Sequence, residues 1–409
     1  MNLLMLTKFF PYGTGEAFIE NEIKVISQYY DKIVIISCEV PDSESESIRE
    51  LPENVTSYRV PAGSKAKDAL MGITRSFSDD VDFREESKEC KNLLQKFFLS
   101  YFEEKCQRIY RYIMTNDYLR CIMNEQYMLY SYWFFMTARV GTIISNNCKK
   151  PERMFTRAHR YDLYEEKNRA SYLPYRKLFL KTYNDILPCS ENGTQYLKNK
   201  YPAYCKHVST AFLGTSDHGL GKASEDGIFR IVSCSRVEPV KRVEQIIKAL
   251  HLLDDEDIAI EWTHIGNGSQ FEATKKIAKD NLKKINYRFL GNMKNADIME
   301  YYRNQPVDLF VNVSSSEGLP VSVMEAISFG IPCIGTDVGG TNEIVVDLNT
   351  GKLIPSDFTA IQLAEIIKNF ALKGNMSVSR MSCRDFWEKH FVAYQNYKLM
   401  FDRIMRNEK

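Results

Sequence analysis

The feature that most limits the fold of this 409-residue chain lies in its second half. Five short runs rich in β-branched and aromatic residues occur there: IFRIVSCSR, IAIEWTHIG, NYRFLG, DLFVNVS and PCIGT. Helical patterns such as VEQIIKALHLL separate them. Strands spaced by whole helices cannot pair as hairpins. They pair in parallel, with each helix as a right-handed crossover. The first half opens the same way. NLLMLT is followed by the loop KFFPYGTGEAF, by FIENEIKVISQYY with Ile19, Ile23 and Ile26 on one face, and by KIVIISCEV. LYSYWFF and RMFTRAH also read as strands, and residues 84–125 read as helical, with Leu94, Phe98 and Phe102 on one stripe. Single cores stop growing at roughly 250–300 residues, so the length calls for two domains. The expected class is α/β: two Rossmann-like doubly wound domains facing across a cleft. The expected segments are a first domain at 1–212 with a helical insertion at about 62–125, a linker at 213–227, a second domain at 228–386, and one C-terminal helix at 387–409 that packs back on the first domain.

Composition removes several alternatives. Hydrophobic residues at 44% supply a sizeable core, and a net charge of +1 gives no global field for nucleic acid. The ten cysteines include no Cys-x-x-Cys, and the short apolar start reads as a strand rather than a signal peptide. A cytoplasmic chain with reduced cysteines is expected. No apolar run approaches the roughly 20 residues of a spanning helix. The six histidines lack metal-binding spacing, and the Asp-x-Asp sequences in SDDVDF and LDDEDI follow no strand, so no metal is expected. The mixed run KNLLQKFFLSYFEEKCQRIYRYI would suit packing on its own sheet, its interspersed glutamates favouring that over docking on an anionic membrane.

The chemistry concentrates in SSSEGLPVSVMEAISFGIPCIG (314–335). Pro320 suits a helix start and Gly330 a helix end, so the helix should run from about Val321 to Phe329. Glu317 then lies in the loop before it and Glu325 in its second turn. A retaining glycosidase pair needs carboxyls roughly 5 Å apart, which this placement disfavours. Two separate contacts to one long ligand fit better, with a carboxylate well matched to a vicinal diol. The N–H groups of Gly318 and Leu319 would sit at the positive helix end. In SCSRVEPVKR, Arg236 ends a strand and Lys241 follows a Pro-containing turn, with Arg242 as the alternative lysine neighbour; such a pair can neutralise a diphosphate. HIGNGSQ offers Gly266 and Gly268, and FLGNM offers Gly291 and Asn292, each after a strand. In the first half, Gly13 and Gly15 follow the first strand, and His159 follows another, with Arg157 and Arg160 as candidates for acceptor or phosphate contact and Asp162 as a helix cap.

The Glu–seven residues–Glu motif with its Gly-Leu-Pro resembles that of retaining nucleotide-sugar glycosyltransferases of the GT-B fold, family four (group 1), of the surface-polysaccharide type. The likeness is specific over 228–356 and weaker before. It implies that Glu317 contacts the donor sugar, that Glu325 takes the ribose diol, and that the backbone of Gly318, Leu319 and Pro320 lines the sugar pocket. It also implies Arg236 and Lys241 on the diphosphate, the region of Gly266, Gly291 and Asn292 around the nucleotide, and His159 near the reacting centre. The implied activity is metal-independent, cofactor-free hexosyl transfer with retention, assisted by the departing phosphate. The donor would be a UDP-sugar, with GDP-mannose as the other choice. The acceptor would be a saccharide or lipid-linked saccharide in bacterial polysaccharide biosynthesis, with peripheral contact at the inner face of the membrane. GGTNEIV departs from the usual pattern at Thr341-Asn342. Two other readings share the scaffold: a non-catalytic sugar-nucleotide or glycan-binding protein, and a nucleotide-sugar 2-epimerase.

Overall fold

Parallel strands buried on both faces read as near-continuous apolar runs, and the computed structural model of the chain is built on two sets of them. It describes residues 1–13, 15–46, 49–75, 80–372 and 378–406; Thr14 of the first loop, residues 76–79 of the insertion and residues 407–409 of the last segment lie outside the described residues. The chain divides into two units, Met1–Phe212 with Tyr397–Lys409, and Leu213–Asn396.

The first unit contains, in order, β1 (Asn2–Thr7), α1 (Ile19–Ile26), β2 (Lys32–Val40), β3 (Val55–Pro61), α2 (Lys65–Arg75), α3 (Val81–Glu89), α4 (Leu93–Ile113), α5 (Asp117–Ile122), β4 (Tyr127–Ser131), α6 (Met136–Asn147), β5 (Met154–Ala158), α7 (Arg176–Thr182), β6 (Asp185–Pro188) and α8 (Glu191–Lys200). Its sheet is parallel in the order β3-β2-β1-β4-β5-β6. The second unit contains β7 (Phe229–Cys234), α9 (Val243–Leu253), β8 (Ile260–Ile265), α10 (Phe271–Asn281), β9 (Asn286–Phe289), α11 (Asn295–Asn304), β10 (Leu309–Asn312), α12 (Val321–Ser328), β11 (Cys333–Thr336), β12 (Gly351–Ile354), α13 (Ala360–Ala371), α14 (Arg380–His390) and the start of α15 (Ala393–Arg406). Its parallel sheet runs β12-β11-β10-β7-β8-β9. Both orders reverse direction beside the first strand of the unit. Ligands of such sheets bind at that switch point, beyond the carboxyl ends of the strands. The switch lies between β1 and β4 in the first unit and between β7 and β10 in the second.

Three strands escape the sequence patterns. VTSYRVP in β3 ends on Pro61, DILP in β6 has four residues, and GKLI in β12 begins with glycine. The helical insertion is present between β3 and β4, but its buried stripe is rotated from the expected one. Phe102 is buried with Leu99, Cys106, Ile109 and Ile113, whereas Leu94 is 58% exposed. The expected single helix over 387–409 is two helices. Phe391 ends α14, and Thr215 forms a short ladder there, its N–H donating to Phe391 O (2.9 Å) while Ala393 N–H donates back to Thr215 O (3.1 Å). Gly214 makes the close approach, since a Cβ on it would lie 2.5 Å from Ala393 Cα. The stretch 213–227 is therefore bonded along the second unit; Gly221 N–H also donates to Phe329 O (3.0 Å). From Tyr397 onward α15 packs in the first unit, where Phe401 meets Tyr130 and Phe155 and Asp402 accepts from Tyr29 Oη at 2.7 Å.

Candidate active site

At the second unit's switch point, the loop after β7 turns through Pro239–Lys241 and the loop after β10 leads into α12. The two loops are joined by Ser315 N–H donating to Val240 O at 2.8 Å. Lys241 Nζ donates to Glu317 Oε1 at 2.6 Å, and Asn312 Nδ2 donates to the same oxygen at 3.3 Å. One of the three ammonium donors of Lys241 is thereby engaged by the carboxylate. Arg242, the alternative neighbour, is a structural residue. It takes left-handed backbone angles (φ 51°) and its guanidinium donates to the carbonyls of Val313, Ser314 and Ser356. Arg236 is exposed near the start of the β7 loop.

The helix begins and ends as the sequence implies, with Pro320 as N-cap and Gly330 at φ 73° after Phe329. Glu325 is buried on it and shares no partner with Glu317. Asn295 Nδ2, from the first turn of α11, donates to its Oε1 at 2.7 Å. Burial pushes the Glu325 carboxyl up to about 7, with the Asn295 bond pulling the other way. The two glutamates thus stand in different surroundings: Glu317 is tied to a cation, and Glu325 is buried and bonded to an amide.

Glycines shape the walls. Gly339 has φ 56°, and a Cβ on it would stand 2.1 Å from Glu317 O, while Gly340 N–H donates to Gly318 O at 2.7 Å. The GGTN sequence therefore clasps the Glu317 loop from the β11 side. Gly339→Ala is expected to cost about 1–2 kcal/mol from the left-handed backbone alone, with further loss from the collision. Denaturant unfolding checks the stability, and donor titration should show a weakened site. Gly266 (φ 133°) and Gly268 serve a similar end. A Cβ on either would strike the β7 loop, 1.9 Å from Ser235 O and 2.5 Å from Val237 O respectively. Their close approach is to the backbone that carries Arg236. Gly266 N–H also donates to Gly291 O (2.8 Å), which brings the β8 and β9 loops together and leaves Asn292 exposed. Gly318, Leu319 and Pro320 are buried beside Glu317.

In the first unit, His159 ends β5 inside an aromatic cage. Its ring centroid is 4.5 Å from that of Trp133 and 5.2 Å from that of Tyr132. It is 8% exposed, and neither ring nitrogen has a hydrogen-bond partner among the described residues; Nδ1 lies 3.7 Å from Asp162 Oδ2. Asp162 is not a helix cap: the short 3-10 helix that follows, Glu165–Lys167, has Tyr164 at its N-cap. It accepts from the backbone N–H of His159 (2.8 Å) and of Phe134 (2.9 Å), pinning the β5 loop to the β4 loop. Arg157 is unavailable to a ligand: it is fully buried, pairs with Glu22 at 3.3 Å and donates to Ala211 O. Arg160 is half-buried. Gly13 and Gly15 belong to a loop whose N–H groups turn on Glu16. Its carboxylate accepts from the backbone of Lys8 (3.2 Å), Phe9 (2.7 Å) and Phe10 (2.6 Å), and from the indole N–H of Trp133. The Asp-x-Asp residues Asp80 and Asp82 serve the buried Arg139, which also pairs with Glu103. Among the described residues no group of three or more His, Cys, Asp or Glu is placed to hold a metal ion.

Sequence reading missed Asn295, Asn312, Gly339 and Glu16. Asn312 ends the strand before the glutamate motif, and Gly339 sits in a Gly-Gly pair, so both were within reach of local pattern. Asn295 and Glu16 were not, since they meet their partners only through the tertiary fold.

The second unit thus sets a Lys–Glu pair at its switch point and a second buried glutamate on the adjoining helix. Residues 221–382 match the family model described as glycosyl transferases group 1. Two curated relatives align with part of the chain: the N-acetyl-alpha-D-glucosaminyl L-malate synthase of Bacillus anthracis (26% identical, covering 44% of this chain and 46% of that protein) and the UDP-N-acetylglucosamine–peptide N-acetylglucosaminyltransferase GtfA subunit of Streptococcus agalactiae (25% identical, 44% of this chain and 34% of that protein). The matched stretch spans less than half the length of either. Over the full length, the chain shares its fold with the apo lipopolysaccharide outer core galactosyltransferase WaaB, at a TM-score of 0.68 and 12% identity, each chain covered completely. Two Rossmann-like domains in one chain of this kind constitute the GT-B fold.

Proposed function

We propose that the protein transfers a hexose from a nucleoside diphosphate sugar, with a UDP-sugar as the first choice and GDP-mannose as the second, to a saccharide or lipid-linked saccharide acceptor in polysaccharide biosynthesis. The reaction retains anomeric configuration and needs neither metal nor cofactor. Contact with the inner face of a membrane is part of the same reading. The observation that carries it is the Lys241–Glu317 pair at the switch point between β7 and β10. Lys241 has further donors for diphosphate oxygens, and Arg236 adds a second cation, so charge developing on the leaving diphosphate is stabilised. Glu317 accepts from sugar hydroxyls and Glu325 from the ribose diol. His159, whose ring nitrogens have no hydrogen-bond partner among the described residues, is proposed to take part in the reaction. The relative whose name specifies UDP-N-acetylglucosamine supports a UDP-sugar as first choice.

A thermal-shift panel of UDP- and GDP-sugars tests the donor. One of them is expected to raise the melting temperature at millimolar concentration, in proportion to ln(1 + [L]/Kd). Proton NMR of the product from that donor should show the donor's anomeric configuration. Silence across the whole panel, with chelator present or absent, would sink the proposal. Donor hydrolysis or transfer that requires added divalent cation would overturn its metal-independent part.

A further inference from the structure

Glu16 stands where an acidic side chain is costly. It is buried in the loop after β1, and its backbone takes left-handed angles (φ 60°) that favour glycine. A residue in such a conformation is held there by its surroundings, and such residues gather at functional sites. The surroundings here are four N–H donors. Glu16 Oε1 accepts from Lys8 N–H (3.2 Å) and from the indole N–H of Trp133. Its Oε2 accepts from Phe9 N–H (2.7 Å) and Phe10 N–H (2.6 Å). Two donors meet each oxygen, and a carboxylate accepts on both. An amide has one acceptor oxygen, so in either orientation its NH2 group would face two N–H donors.

Three of these bonds close the loop on itself, and the fourth reaches out of it. The backbone of Trp133 is fixed by Thr137, whose hydroxyl accepts from Trp133 N–H (3.1 Å) and donates to Trp133 O (2.8 Å). The tilt of the indole is left to its Nε1, where Glu16 is the partner. The indole in turn faces His159, with ring centroids 4.5 Å apart, nearer than Tyr132 at 5.2 Å or Phe18 at 5.9 Å. Asp162 Oδ1 takes the backbone N–H of His159, and Asp162 Oδ2 stands 3.7 Å from Nδ1, beyond hydrogen-bond reach. Neither ring nitrogen has a hydrogen-bond partner among the described residues. The orientation of the imidazole therefore comes from the aromatic rings packed around it.

We infer that Glu16 is the positioning residue of His159, acting through Trp133: the carboxylate aims the indole, and the indole sets the imidazole. The catalytic meaning of this arrangement rests on the proposed part of His159 in the transfer, but the arrangement itself is tested without a donor. NMR of protein labelled at tryptophan and histidine rings provides the test. Trp133→Phe and His159→Gln assign the two signals among three tryptophans and six histidines. In Glu16→Gln the indole proton of Trp133 should move upfield, and the ring protons of His159 should shift with it, while the indole signals of Trp262 and Trp387 stay in place and report an intact second unit. Glu16→Gly is the second variant, because glycine suits the backbone there and leaves the four donors to a small carboxylate. Added formate should return both signals toward wild type. His159 ring signals that do not move in either variant overturn the inference. A double-mutant cycle supplies the kinetic readout. Glu16→Gln should lower kcat by about tenfold to a hundredfold with the donor KM near wild type, and should add nothing in a His159→Ala background. Losses that multiply independently overturn the inference. Undiminished transfer by His159→Ala would instead count against the reading of His159, and the ring signals then decide on Glu16 alone.

Discussion

Glu317→Ala is expected to lower kcat/KM for sugar transfer by about 10²–10³-fold, the loss seen when one preorganised polar contact to a reacting group is removed. Two effects combine. The sugar loses its hydroxyl acceptor, and Lys241 loses the carboxylate that holds its ammonium at 2.6 Å. The lysine is then free to leave the position proposed for it beside the diphosphate. Glu317→Gln separates the two. It keeps an oxygen at the end of the side chain but removes the charge that holds Lys241, so its loss should fall between wild type and alanine. Steady-state kinetics on the donor found in the panel, with circular dichroism to confirm folding, checks both variants. Undiminished transfer by Glu317→Ala removes the residue from the chemistry and leaves the non-catalytic binding reading in its place.

The second large effect concerns stability rather than turnover. Glu325 has its folded carboxyl raised from 4.5 to about 7 because it is buried. Between those values the folded chain binds the proton more tightly than the unfolded chain. The contribution is therefore fully favourable below pH 4.5 and is lost as pH rises through about 7. At pH 8 the ionised carboxylate costs about 3 kcal/mol, from roughly 1.4 kcal/mol per pH unit. Glu325→Gln keeps the hydrogen bond from Asn295 and removes the charge. It should stabilise the second unit by up to about 3 kcal/mol at pH 8 and by almost nothing at pH 4.5. Urea unfolding at the two pH values measures this. A gain that does not change with pH would show that burial of the charge is not what Glu325 costs the fold. The same variant should bind donor more weakly, because the amide can offer the ribose only one acceptor oxygen. Stability gained where binding is lost is the signature of a functional group held at the expense of the fold.

The second unit was legible in sequence to a degree the first was not, and the reason is physical. Its strands β7 to β11 are short apolar runs separated by helices with clear starts and stops, and Pro320 and Gly330 bound α12 through backbone chemistry that any reader of the chain can apply. Local rules also placed Lys241 and Glu317 on loops after strands. They could not pair them, because the meeting of β7 with β10 is a property of strand order. The same limit hid Asn295 behind Glu325, and Glu16 behind the loop it satisfies. Arg157 shows the opposite failure. An arginine beside a strand end suggested a ligand contact, yet it is buried against Glu22, an ion pair across 135 residues of sequence. In α4 the stripe read from Leu94, Phe98 and Phe102 crosses from an exposed end to a buried centre, since a helix of 21 residues need not bury one face along its whole length.

The central claim is that Lys241 meets a diphosphate while Glu325 meets a ribose. Isothermal titration of uridine and UDP, or of guanosine and GDP if the panel selects them, into the wild-type protein, Lys241→Ala and Glu325→Ala addresses it directly. The account predicts that Lys241→Ala weakens the nucleoside diphosphate at least tenfold and leaves the nucleoside unchanged, whereas Glu325→Ala weakens both. Equal affinity of wild type and Lys241→Ala for the diphosphate would contradict it.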